Sequence, residues 1–341
     1  MKRLRVLLTL MLTVYSGVIA NVRVLSIGIS EYPESSGWNK INAHNDVELI
    51  MSLFPNASSL ENAAATRSEI ERQLKALVNI ATQGDTVIIH FSGHGQQIIT
   101  QSSSDEADGV DEAIVPFDAD KRKNATYNGQ NHLTDDAFGA AVDEVRQAVG
   151  ASGMVIAVID ACHSDSMDKD ADASKEIYRG TDEIFGAERM SDEKIASLRE
   201  AYHNQDVSDL SVSPGISDVI YLSACRSDQR NYEVTANGKG YGSLTYYFWE
   251  AYRDQGISDL SAFLSAIYSG MENDKTLKFH GQLPAIRNTF GWEPPQKNIS
   301  ETPLPPPPTP EPRNRSILFV IIGIAIIVIL SAIWIVRKRR T

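Results

Sequence analysis

The chain has 341 residues, 44 acidic against 32 basic, a formal net charge of −12 and only two cysteines. Seven basic residues and no acids lie at the two ends, leaving 25 basic against 44 acidic residues between them, a balance of −19. That balance argues against nucleic acid or anionic lipid as a ligand of the central part. It suits cationic substrates and hard metal ions, besides serving solubility. Two cysteines are too few for a disulfide-built scaffold.

Lys2, Arg3 and Arg5 precede an apolar stretch from Val6 to Ala20, the pattern of a secretory signal peptide over residues 1–20. Val22 to Ile29 reads as a first strand. Asn42 to Phe54 carries apolar residues at helical spacing, and Thr66 caps a second helix with Glu69 three residues on. Gly84-Asp85 turns into the apolar run Val87-Ile88-Ile89-His90-Phe91, which ends in Ser92-Gly93-His94-Gly95. An acidic run, Asp105 to Glu112, follows. Thr134 caps a helix through Phe138, Val142 and Val145. Beyond it, Met154 to Ile159 is a second β-branched run, ending in Asp160-Ala161-Cys162-His163-Ser164.

The segment 165–214 is long, charged and weakly apolar, and so predicts a mobile or functional excursion. Val219 to Cys225 is another strand, with helices at Leu244–Tyr252 and Leu260–Met271. Residues 293–316 are a Pro-rich linker favouring extended geometry. Ile317 to Val336 carries no charge over a length that spans a bilayer core, and a basic tail follows at 337–341. Basic residues stay on the cytoplasmic side, so the expected topology is single-pass, with residues 21–292 exported (periplasmic, extracellular or lumenal) on a stalk. Sequons stand at Asn56, Asn124, Asn298 and Asn314.

Strand–helix alternation over 21–292 predicts an α/β domain with a mainly parallel sheet covered on both faces. Ligands of such sheets bind outside the carboxyl ends of the strands, so His94 and Cys162 are delivered to one rim. A thiol and an imidazole there are the minimum equipment of a cysteine hydrolase. Gly93 and Gly95 leave room for a substrate backbone and offer amides to an oxyanion. His163 points away from Cys162 and orients the loop. Asp160, two residues before Cys162, faces the same side of its strand. Asp46 reads as a helix N-terminal acid stabilised by the dipole. Cys225 reads as a packed thiol at the core edge, whose pairing with Cys162 would silence an enzyme.

Ser92-Gly93-His94-Gly95, the 105–112 run, Pro116 with Asp118, and Asp160-Ala161-Cys162-His163-Ser164, in that order, resemble the metacaspases, caspase-like cysteine peptidases. The likeness runs from about Val22 to Phe290. The resemblance implies a caspase-hemoglobinase sandwich, a His94–Cys162 dyad, and an acidic S1 pocket of Asp46 and Asp160 that accepts Arg or Lys, with Asp228 as a weaker addition. It implies calcium held by Asp108 or Asp111, the pair Asp135 and Asp136, and Asp168 or Asp170. Asp165 stands where the family usually has Gly. An enzyme cutting after basic residues would also meet its own segment 165–214, most readily near Lys175 or Arg179. The expected partners are basic peptides and a membrane, without nucleic acid, for a monomer. Two other readings are a catalytically quiet caspase-like interaction module and a legumain- or transamidase-like enzyme acting at Asn.

Overall fold

The computed structural model of the protein describes residues 21–99, 110–162, 176–187, 214–226 and 229–295, with a few further positions between 190 and 210. The expected signal peptide and membrane span, with nearly all the linker, lie outside these residues. Among the described residues no helix is long and apolar enough to cross a membrane.

The central sheet has six strands. In chain order they are β1 (Val22–Gly28), β2 (Ser58–Glu61), β3 (Thr86–Ser92), β7 (Met154–Asp160), β8 (Asp218–Ser223) and β11 (Ala285–Asn288). Their spatial order is β11-β8-β7-β3-β1-β2. All neighbours are parallel except β11, which runs antiparallel to β8. The β-branched runs occupy the middle because both of their faces are covered. Alternation along each strand sorts the core into two layers. Leu25, Ile27, Val87, Ile89, Val155 and Ala157 pack under α2 (Arg67–Ile80) and α3 (Asp135–Val149). Val24, Ile88, Ile156, Val158, Ile220 and Leu222 pack on the other face, under α1 (Ala43–Leu53), α4 (Ser243–Gln255) and α5 (Leu260–Asn273). A short α6 (Lys275–Phe279) follows α5. Thr66 and Thr134 cap α2 and α3 as their sequences predict, accepting from the amides of Glu69 and Ala137.

Two small sheets sit beside this sandwich. β4 (Gly95–Ile99), β5 (Val110–Ile114) and β6 (Leu133–Thr134) form an antiparallel trio, and β9 (Glu233–Ala236) with β10 (Lys239–Gly242) form a hairpin. The hairpin turns on Asn237-Gly238, both with positive φ (52° and 77°), the residue pair that a two-residue primed turn requires.

One expectation is corrected. Part of the segment 165–214 is built into the fold: Arg179, Ile184, Phe185 and Ala187 are all buried. Phe185 also exchanges backbone hydrogen bonds with Gln97 and Ile99 along the edge of β4. The segment reads as polar because its apolar residues are few, yet Phe185 joins the main core while Ile184 and Ala187 pack together on Val110.

Candidate active site

Strand register explains the site. β3 and β7 pair in parallel with Ser92 opposite Asp160. His94 and Cys162 each lie two residues past that pair, so both reach the same level of the rim. Both are buried.

The His94 ring is fixed by a backbone acceptor. Its Nε2–H donates to the Asn39 carbonyl at 2.9 Å. Trp38 stacks on it with centroids 4.8 Å apart, and Tyr32 flanks it at 5.3 Å. The Tyr32 hydroxyl accepts from the His94 amide and donates to the Val115 carbonyl. With Nε2 carrying the proton, Nδ1 is the basic nitrogen, and it is buried without a hydrogen-bond partner among the described residues. Burial pushes the imidazole down to about 4, only partly opposed by the Asn39 contact. His94 is therefore neutral at neutral pH, as a general base must be. An NMR titration should find its midpoint near 4 rather than near 6.5. Between those values the unfolded chain takes up a proton that the folded ring refuses. The ring therefore contributes stability that is lost as pH falls through that window. A ring titrating at 6.5 in the folded protein would contradict this environment.

The Cys162 thiol donates to the Gln229 carbonyl at 3.1 Å, and the Cys225 thiol lies 3.5 Å from it. No hydrogen bond joins Cys162 to His94 Nδ1 in this state. The Gly93 amide, expected to face an oxyanion, donates here to the Asp160 carbonyl at 3.3 Å. Gly95 heads β4 opposite Ile114. The amide that does hold a carbonyl oxygen beside the nucleophile is that of Cys162 itself, and the oxygen belongs to Arg179, 2.7 Å away.

Arg179 fills an acidic pocket. Its Nη1 donates to Asp46 Oδ2 at 2.7 Å and to the Ser92 hydroxyl at 2.6 Å, and its Nη2 donates to Glu233 at 3.0 Å. Asp160 Oδ1 is 3.7 Å from Nη1. The sequence reading thus named two carboxylates, Asp46 and Asp160, that the fold brings together from α1 and β7. Asp46 is no mere helix-end acid, for it is fully buried and also accepts from the Gly242 amide at 2.9 Å. Burial pushes its carboxyl up, while the Arg179 guanidinium pulls it back down. Asp160 stands further from the guanidinium because Asn231 and Thr245 already occupy its oxygens at 2.7–2.8 Å. Gly242 must be glycine here, since a Cβ would collide with Asp160 and Arg179.

Glu233, the third carboxylate, was missed. It opens a short strand that alternation alone does not reveal. Asp228, proposed for the same pocket, lies outside the described residues.

Residues 177–179 run antiparallel to 231–233. The Arg179 amide donates to the Asn231 carbonyl, the Glu233 amide donates to the Ile177 carbonyl, and Tyr178 bridges Tyr232. Gly180 packs so closely on Cys162 that a Cβ there would run into the Cys162 carbonyl. The segment thus lays a basic residue in an acidic pocket, with its carbonyl on the Cys162 amide and the following Gly180 packed on Cys162.

The acids expected to bind calcium are placed only in part. Asp135 and Asp136 start α3 and, with Glu112, line a cavity of about 460 Å³. Asp111 is buried on β5, next to Glu112, and therefore faces the opposite side. Burial and Asp135 push the Glu112 carboxyl up to about 7. Oxygen donors of this kind suit a hard cation. Among the described residues, however, no three metal-ligating side chains converge. Asp108 and Asp168, with Asp170, His163 and Asp165, lie outside the described residues.

Comparison with known proteins shows the family of the chain. The family described as Caspase domain matches residues 22–290. The chain belongs to that family, and metacaspases are among the proteins similar to it. It is 27% identical over 224 residues to Metacaspase-1 of Schizosaccharomyces pombe, covering 59% of this chain and 49% of that protein. It is 35% identical over 99 residues to Metacaspase-4 of Arabidopsis thaliana, covering 29% and 20%. The chain thus spans about half the length, or less, of these curated relatives. A crystal structure of a Geobacter sulfurreducens protein superposes with a TM-score of 0.52 at 21% identity, covering 79% of this chain and 93% of that one. That likeness supports the fold alone.

Proposed function

We propose that the protein is a cysteine endopeptidase that cuts after Arg or Lys and whose first substrate is its own Arg179–Gly180 bond. One observation carries this reading: Arg179 sits among Asp46, Asp160 and Glu233 with its carbonyl on the Cys162 amide. Carboxylates on two sides of a planar guanidinium favour Arg over a point-charge Lys.

In this reading the Cys162 proton passes from its contact with Gln229 to His94 Nδ1, and the sulfur attacks the scissile carbonyl carbon. The Cys162 amide stabilises the oxyanion. His94 then protonates the leaving amine as the C–N bond breaks, and water hydrolyses the thioester. The Asn39 carbonyl keeps His94 in the tautomer that this sequence needs.

A panel of peptides differing only at P1, given to the self-processed protein, tests the reading. Arg and Lys peptides should turn over and Asp or Asn peptides should not. Equal rates on Arg and Asp would overturn the acidic pocket, and a preference for Asn would favour the legumain-like alternative.

Calcium belongs to the proposal as an activator, supported by the oxygen donors of Asp135, Asp136 and Glu112 on one cavity, with Asp108 and Asp168 as the further candidate ligands. After chelation, added calcium should raise peptide turnover and should also raise the melting temperature of Cys162→Ala protein. An unchanged rate and melting curve up to millimolar calcium would remove the metal from this account. The uncharged run 317–336 supports a single-pass anchor with the peptidase domain exported, to be checked by protease accessibility in intact cells.

A further inference from the structure

Gln282 lies some fifty residues beyond Glu233 in sequence, yet it is almost fully buried and uses its whole amide. Its Nε2 shares two hydrogens among three acceptors, the Ala224 carbonyl at 2.8 Å, the Ser243 hydroxyl at 2.9 Å and Asn231 Oδ1 at 3.1 Å. Its Oε1 accepts from the Tyr232 amide at 2.9 Å. Three acceptors on one side and an N–H on the other leave a single orientation for the amide.

The consequence passes through Asn231. Ser243 donates to Asn231 Oδ1 at 3.0 Å, and Gln282 donates to the same oxygen. Asn231 must therefore turn its Nδ2 toward Asp160 Oδ1, at 2.8 Å. The Asn231 carbonyl, on the same residue, receives the Arg179 amide. One glutamine thus fixes both the strand edge that pairs with P1 and the donor that aims a pocket carboxylate.

We propose that Gln282 is a positioning residue for basic-P1 recognition, acting through Asn231 and Asp160; the inference rests on the basic-P1 reading above. Wild-type turnover of Arg over Asp peptides comes first, because its absence would refute that reading rather than this one. Gln282→Glu then keeps the acceptor for Tyr232 and sets an oxygen against three acceptors. Its KM for Arg peptides should rise about tenfold with kcat nearly unchanged, the signature of lost binding common to ground and transition states. Lowering the pH should bring that KM back toward wild type relative to the wild-type profile, as the introduced carboxyl, once protonated, regains one donor. Ser243→Ala, a smaller change that frees the same Asn231 oxygen, should raise KM in the same direction. It also decides the matter should Gln282→Glu not fold. Unchanged KM in the variants that fold would overturn the proposal.

A separate observation carries a second inference. The two cysteines are neighbours: the register Ile159 opposite Ser223 carries Cys225 to the level of Ala161, next to Cys162. Their sulfurs lie 3.5 Å apart, with the nucleophile's proton directed to Gln229 and away from His94. A disulfide needs the sulfurs to close to about 2.05 Å, across the Cα separation that adjacent strands provide.

We infer that Cys162 and Cys225 form a reversible disulfide that switches the peptidase off, with a low-molecular-weight disulfide as oxidant. Cys162 thiolate attacks the oxidant and releases one thiolate. Cys225 thiolate then attacks the Cys162 sulfur and releases the second. The protein loses two electrons and two protons, and the oxidant becomes two thiols. The full-length enzyme poised in oxidised glutathione should lose activity, lose two free thiols and weigh two hydrogens less, and a reductant should restore all three. Cys225→Ser should keep its activity under reducing conditions and, when oxidised, carry glutathione on Cys162 instead. Wild type that carries glutathione on Cys162 with no Cys162–Cys225 crosslink in its peptide map would overturn the switch.

Discussion

Cys162→Ala removes peptide turnover, by about three orders of magnitude or more, and leaves the fold in place. The change deletes one sulfur at the end of β7, where the side chain packs against Gln229 and Cys225 and carries no strand pairing. Loss of so small a buried group costs on the order of 1 kcal/mol, which does not unfold a domain of this size. His94→Ala should fall as far, because nucleophile and base act as a unit. The double variant should then be little worse than either single one. The stacking partners of His94, Trp38 and Tyr32, lose a neighbour, so a modest drop in melting temperature should accompany the loss. Assay of all three variants on one Arg peptide, with melting curves alongside, checks this. Turnover that survives Cys162→Ala but vanishes in Cys225→Ser would transfer the nucleophile's role to the second thiol.

Most of the central sheet is legible in the sequence because its strands are uninterrupted β-branched runs, and parallel strands sandwiched by helices have no other way to be buried. The same property carries His94 and Cys162, since each follows such a run by two residues, and equal register does the rest. What stayed hidden is short or borrowed. β5 is made from the end of an acidic run that reads as a loop, because Asp111 and Glu112 place a charge on each face of the strand among Val110, Ala113 and Ile114. Glu233 and Gln282 sit on or beside short elements, where no period can be counted. The hairpin signal Asn237-Gly238 was present and went unread, although a two-residue turn of that type marks β9 and β10 outright. The tautomer of His94 was not legible at all, because it is set by a backbone carbonyl, that of Asn39, which carries no side-chain signature.

The protein should cut itself between Arg179 and Gly180, and this sharpens the broader expectation of cleavage near Lys175 or Arg179. Lys175 lies outside the described residues, whereas Arg179 is fully buried among carboxylates with its peptide against the nucleophile. Accessibility to other proteases does not explain such a site, because a buried arginine is hidden from them. Only the enzyme's own Cys162 is in reach. N-terminal sequencing of the C-terminal fragment should therefore begin at Gly180, and Cys162→Ala protein should remain one chain. Arg179→Lys should still be cut, more slowly, because an ammonium cannot bond Asp46, Ser92 and Glu233 as a planar fork does. Arg179→Gln should stay intact and lose stability by about 3–5 kcal/mol, since it leaves buried carboxylates without their cation. The fragments should stay together after the cut. Phe185 remains clamped between β4 and the Tyr127 and His132 rings on one side, while Cys162 and β7 belong to the central sheet on the other. Native mass spectrometry should thus record the uncut mass plus one water. Cleavage that continues at full rate in Cys162→Ala would mean that another protease makes the cut, and the seating of Arg179 would then be a brake on the site and not its first turnover.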